Sequence, residues 1–261
     1  MRKLLLDNKI NLLFLFISFL CLMGIVGIEN ISFKSTKWLH NLETSIAQIG
    51  WYFFKNDIWR FPLGSNPNYG ISLGNSIIFS DSIPILALLF KLLRSFISEN
   101  FQYFSFWYFI CFYLQLFFSF KILKKFTESE LYSFIGSLFF LIAPIFIYRV
   151  DYHVSLSAQW LLLLALYLGL TSEISKNQKL WFGLIILSSL IEFYFTGMIC
   201  VIYVISRLSN YYFGNTSIPP DGYLILSHTC SSYPENCISI GGQNFDNTSS
   251  TVILRNEYSQ I

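Results

Sequence analysis

Four carboxylates and two arginines stand at spacings that suit phosphate chemistry. Asp57 and Arg60 lie three residues apart in "NDIWRF", and Asp81 follows in "IIFSDSIP". Glu43 precedes them in "HNLETSIAQIGW", and Arg149, Asp151 and His153 alternate in "YRVDYH". An arginine fork grips phosphate oxygens through paired hydrogen bonds. A carboxylate nearby can take a proton from an incoming hydroxyl or hold a divalent metal. The plainer alternative for each residue is a solvated loop charge, or a long side chain reaching water from a helix end. Glu192, inside "SSLIEFYF", is a different case: a carboxylate is costly in lipid unless it meets a protein interior, a cavity or the interface.

The solvent around these residues follows from composition. Of 261 residues, 54% are hydrophobic and only 12% charged, with a mean hydropathy of +0.54. Soluble domains carry about 25% charged residues, so the bilayer is the expected environment. A net charge of +2 gives no footing for nucleic acid. Cys21, Cys111 and Cys200 lie in apolar runs and are expected to pack. Cys230 and Cys237 lie in a polar tail and could pair in an oxidising compartment. No C-x-x-C pair, His/Cys cluster or glycine-rich phosphate loop is present.

Residues 10–28 form an apolar run long enough to cross about 30 Å of hydrocarbon. Arg2, Lys3 and Lys9 precede it, which places the N-terminus in the cytoplasm. The run is longer than a secretory h-region and no A-x-A-like site follows, so it reads as an uncleaved span. Residues 29–82 are then an extracytoplasmic loop, with Trp38, Trp51 and Trp59 as interfacial belt residues. The run 83–93 is too short to cross and carries Lys91, which suits an interfacial or re-entrant helix. Spans follow at 103–122, 131–148 and 154–171, with Lys121, Lys124 and Lys125 at a cytoplasmic end and Lys176 and Lys179 in a cytoplasmic loop. The run 180–206, interrupted by Glu192 and Gly197, is either one bent helix or a re-entrant pair. These segments predict an all-α membrane protein with about five transmembrane helices and one re-entrant or interfacial helix. They also predict a transmembrane domain over 1–207 and a polar, poorly ordered tail over 208–261.

The ordered blocks "AQIGWYFFKNDIWRFPLG", "FQYFSFWYFICFYLQ" and "YRVDYHVSLSAQWLLLLALYL" resemble a family of bacterial multi-spanning membrane proteins, the domain of unknown function 6311. That family looks like the glycosyltransferase C superfamily, so the chain would resemble the N-terminal half of that fold. The resemblance implies an enzyme that uses a polyprenyl-phosphate-linked sugar at the extracytoplasmic face of the cell (inner) membrane. It implies an acidic residue near the first span as base or metal ligand, and Glu43 stands at the matching place. Ile58 replaces an expected proline, Gln159 an expected histidine, and Glu192-Phe193 an expected His-Pro.

On this basis Glu43 and Asp57 are the catalytic candidates, with a divalent metal as the one cofactor to consider. Arg60, Asp81, Arg149 and His153 are the substrate-binding candidates. The loop and the helix at "SIPILALLF" would roof a lipid-facing cavity. The other expectation is a non-catalytic membrane protein that binds a lipid or a companion subunit. The resemblance also implies further spans beyond those counted, and the change of composition at residue 208 suggests an interrupted reading frame.

Overall fold

A computed structural model describes residues 2–28, 31–39, 42–70, 74–171, 178–213, 224–228 and 250–254, with side chains at 9–28, 31–39, 44–70, 74–171 and 178–209. The chain divides into two units, Met1–Arg207 and Leu208–Ile261. The first unit is helical. α1 (Arg2–Val26) and α4 (Phe104–Leu123) are the two described helices long and apolar enough to cross a membrane. α4 is the hub and packs against α1, α5 (Glu130–Leu141) and α7 (Trp160–Leu170). Phe14 of α1 sits edge-on to Phe120 of α4 at 5.5 Å and stacks on Phe134 of α5 at 6.0 Å. Lipid tails are as apolar as these rings, so shape and close approach, rather than hydrophobic burial, hold such helices together.

The span expected at 131–148 is two helices. α5 ends at Leu141, and α6 (Pro144–Tyr152) leaves at an angle of 46°. Pro144 has no N–H to donate, and its ring pushes Ala143 into extended backbone. Taken as one broken span, the pair brings the count to three. The run expected at 154–171 begins with a 3₁₀ turn, Ser155–Ser157, and becomes helical only as α7. The run 180–206 is also broken: α8 (Gln178–Ser189) and α9 (Phe193–Phe213) flank residues 190–192. Glu192 therefore marks a break.

The long first loop contains a helix of its own, α2 (Leu42–Asn56). Its buried residues Thr44, Ala47, Trp51 and Phe54 recur at three- and four-residue steps, one face of a helix. That face meets the 3₁₀ turn Ile77–Ser80 and the short helix α3 (Pro84–Leu92). Gly50 permits the approach, because a Cβ there would fall 2.4 Å from the Cβ of Ser80. Trp51 is buried rather than interfacial, its indole donating to the Phe101 carbonyl at 2.9 Å. α3 starts sharply: Asp81 and Ile83 both hold positive φ, 53° and 49°. Pro84 at the first helical position supplies the preset backbone that starts the helix. With nine residues, α3 is too short to cross a bilayer.

In the second unit, β1 (Leu224–His228) pairs antiparallel with β2 (Ser250–Leu254), Leu226 opposite Val252. The strand pair is built from the apolar stretches "LIL" and "TVIL". Cys230, Cys237 and Lys176 lie outside the described residues. Cys111 is buried, while Cys21 and Cys200 are half-buried.

Candidate functional site

Two polar clusters form at the two ends of α3. Nine helical residues separate them by about 13 Å, and each contains one carboxylate singled out in the sequence.

The first lies where the last turn of α3 meets the end of α2. Lys91 is only 1% exposed. Its ammonium stands 3.9 Å from the Phe54 ring centre and 4.9 Å from that of Trp59, and donates to the Ile58 carbonyl at 3.3 Å. Arg94 donates to the Asp57 carbonyl at 2.9 Å. The Asp57 carboxylate accepts from the Ile58 N–H at 2.8 Å and from Arg60 Nε at 3.2 Å. Arg60 Nη2 stands 3.4 Å from the other oxygen. The hydrogen bond from Arg60 holds the Asp57 carboxyl below the usual carboxylate range, against the opposing effect of burial. Burial also lowers the Lys91 ammonium from the ordinary lysine value. The result is three cations about one carboxylate. Phe61 (94% exposed) and Phe96 (88% exposed) stand out beside it, with Leu63, Leu92 and Leu93 also exposed. Cations ringed by unpartnered aromatics are what an anionic headgroup in a lipid surface requires.

The second cluster lies where α3 begins. Asp81 reaches a segment 73 residues away: its two oxygens accept from the Val154 N–H at 2.8 Å and the Ser155 N–H at 3.0 Å. These are the free N–H groups that open the 3₁₀ turn Ser155–Ser157, so Asp81 caps that turn from another part of the chain. The Ser155 hydroxyl contacts both an Asp81 oxygen and a Glu192 oxygen. Burial pushes the Asp81 carboxyl up to about 6, with Glu192 adding to the rise and the three donors from 154 and 155 opposing it. Around this centre, Ser82 donates to the Ala47 carbonyl at 2.6 Å, Trp107 to the Val154 carbonyl at 2.7 Å, and the Ile85 N–H to the Leu190 carbonyl at 2.9 Å. The Tyr103 hydroxyl donates to the Ser82 carbonyl.

The sequence candidates therefore fall into separate groups. Asp57 and Arg60 share the first cluster, and Asp81 anchors the second. His153 adjoins the second along the chain, its N–H donating to the Arg149 carbonyl at 2.8 Å at the end of α6. The Arg149 guanidinium lies 5.9 Å from the Tyr148 ring centre. Glu43 is in the first turn of α2, and its side chain lies outside the described residues. Among the described residues no group of three or more His, Cys, Asp or Glu could hold a metal ion. A cavity of about 220 Å³ lies between α1 and α4, lined by Ile10, Asn11, Phe117, Phe120 and Lys121.

Three participants are not legible in the sequence. In the sequence Lys91 stands only as a charge in a short apolar run and Arg94 as its neighbour, because their partners at 58 and 57 lie more than thirty residues away. Ser155 went unremarked, although serine before an apolar helical run is a start signal that "HVSLSAQW" displays.

No curated protein and no solved structure matches the chain. A match to a protein family does extend over residues 15–232, through both clusters and every element that builds them. With most of its length inside that match, the chain belongs to the family described as domain of unknown function 6311.

Proposed function

We infer that this is a multi-pass membrane protein, crossing about five times with a cytoplasmic N-terminus, whose extracytoplasmic face seats a phosphate-bearing lipid at the Asp57 cluster. The observation that carries this reading is the gathering of Arg60, Lys91 and Arg94 about Asp57 beside the exposed Phe61 and Phe96. Arg60 and Arg94 are the phosphate-gripping groups, and Lys91, held in its aromatic pocket, supplies fixed positive charge beneath them. Arg149 and His153 would extend the polar surface toward an acceptor, and Asp81 positions the 153–157 segment from below. In the glycosyltransferase-like form of this reading, the lipid is a polyprenyl phosphate bearing a sugar. Glu43 or Asp57 is then the base or the ligand of a divalent metal.

The test is lipid binding by the purified chain in nanodiscs, with and without polyprenyl phosphate. Wild type should bind, and the Arg60→Gln/Arg94→Gln double variant should bind at least about tenfold more weakly, equivalent to one or two lost charge-assisted contacts. Equal binding by both would remove the site. Transfer activity separates the enzyme from a binder: Glu43→Gln and Asp57→Asn should each abolish transfer while sparing expression.

One observation favours the second reading, a non-catalytic membrane subunit. Asp57 is ion-paired and held low, and a carboxylate so stabilised is a weak base. A companion protein retained stoichiometrically in mild detergent would support that reading.

A further inference from the structure

The Ser155 hydroxyl carries one hydrogen yet contacts two carboxyl groups, Asp81 and Glu192. It can donate to only one of them. The other contact becomes a hydrogen bond only if that carboxyl carries a proton and donates it to the serine oxygen. With both carboxyls ionised, one contact would be an unrelieved approach of two acceptors inside the protein. The arrangement is complete with one proton beyond the hydroxyl's own.

The three residues come from three separate interruptions of the helical chain. Asp81 is in the left-handed turn before α3, Ser155 in the 3₁₀ turn between α6 and α7, and Glu192 in the break between α8 and α9. The Ile85 N–H to Leu190 carbonyl bond ties the first interruption directly to the third. We propose that Asp81 and Glu192 hold a single proton between them through Ser155, and that this proton latches the three interruptions together. Its loss leaves two like charges facing one hydroxyl and releases the 190–192 break from the 153–157 turn.

The titratable groups nearby set the competing explanations. Tyr103, just before α4, and Tyr108 within it lie within electrostatic reach of Asp81. Arg149, Asp151 and His153 stand at the end of α6, and Tyr194 opens α9, its N–H 3.4 Å from the other Glu192 oxygen. Lys91 lies at the far end of α3, in the other cluster. The charge that acts on Asp81 is that of Glu192. His153 is the imidazole adjoining the 3₁₀ turn along the chain, so the test must tell it apart from the latch.

The measurement is hydrogen–deuterium exchange of the full chain in nanodiscs at pH 5 and pH 8, corrected for the intrinsic pH dependence of exchange. Peptides covering 153–157 and 188–196 should exchange on the order of tenfold faster at pH 8 than at pH 5, while peptides within α1 and the middle of α4 stay unchanged. Glu192→Gln supplies a neutral donor to the serine oxygen and should hold both peptides protected at both pH values. Asp81→Asn removes the carboxyl and should likewise abolish the pH step, but its amide leaves one of the Val154 and Ser155 N–H groups without an acceptor, so protection is lower at both pH values. Equal protection of the wild type at the two pH values would overturn the latch, and that result needs no variant to fold. A wild-type pH step that persists in both Glu192→Gln and Asp81→Asn would also overturn it and transfer the step to His153.

Discussion

Asp57 and Asp81 are the same residue type at opposite ends of one nine-residue helix, and their environments push them in opposite directions. Asp57 lies beside Arg60, Lys91 and Arg94, and is held below the usual carboxylate range chiefly by its hydrogen bond from Arg60. Asp81 is pushed up to about 6 by burial, although three donors from residues 154 and 155 favour its charge. The difference lies in what stands opposite: cations at one end, a second carboxylate at the other. One end is built to present charge to the surface, and the other to contain it.

The comparison breaks most visibly at Asp81. Between the ordinary carboxylate range and about pH 6, the folded chain holds a proton that the unfolded chain has released. Stability therefore falls as pH rises through that window, by about 3 kcal/mol in all, and stays low above it. Thermal unfolding in detergent across that range should show this slope in wild type and lose it in Asp81→Asn. Asp57 has the reverse sign. Its contribution is full above the ordinary carboxylate range and is lost as pH falls through its lowered value, so an acid limb of opposite slope belongs to the first cluster.

A smaller effect sharpens the contrast from the side of α2. Gly50→Ala would drive a methyl into Ser80, one residue before Asp81, and should cost about 2 kcal/mol by overpacking. Adding Ser80→Gly should recover part of that loss. The damage belongs to the second cluster, so lipid binding at the first should change less than thermal stability does. Lys91→Met keeps the buried stem but removes the ammonium from between Phe54 and Trp59, for a loss of about 1–2 kcal/mol in the same unfolding assay. Smallest of all, Arg60→Gln removes a half-exposed ion pair and should change stability by less than about 1 kcal/mol, while shrinking the acid limb assigned to Asp57, which keeps the Ile58 N–H and the Lys91 charge.

The parts of this architecture legible in the sequence are those set by local pattern. α1 and α4 follow from apolar runs of eighteen residues or more, and α3 from a run too short to cross. α2 was equally written in the chain, at Thr44, Ala47, Trp51 and Phe54. It was obscured because two of those four residues are not strongly apolar and the surrounding segment is rich in turn formers. Pro144 announced the bend between α5 and α6, but the apolar run continues through it and masked the break. The clusters were legible only by half. Asp57 and Arg60 are neighbours in sequence and could be paired by inspection. Asp81, Ser155 and Glu192 are joined across 74 and 37 residues, and composition and periodicity are silent about contacts of that range.

Ile83 carries a consequence of its own. It is a β-branched residue in left-handed backbone, φ 49°, with its side chain fully buried at the start of α3. That backbone costs a non-glycine residue about 1–2 kcal/mol, while burial of the side chain contributes about 1.5–3 kcal/mol. Glycine would relieve the first and forfeit the second, leaving a net change near zero or only mildly unfavourable. A saturation mutagenesis survey would thus score Ile83→Gly above Ile83→Ala, which keeps the backbone cost and still empties the site, and about level with Ile83→Val, which loses one methylene for about 0.5–1.5 kcal/mol. Glycine ranking above alanine at a buried position would locate the left-handed turn from genetics alone.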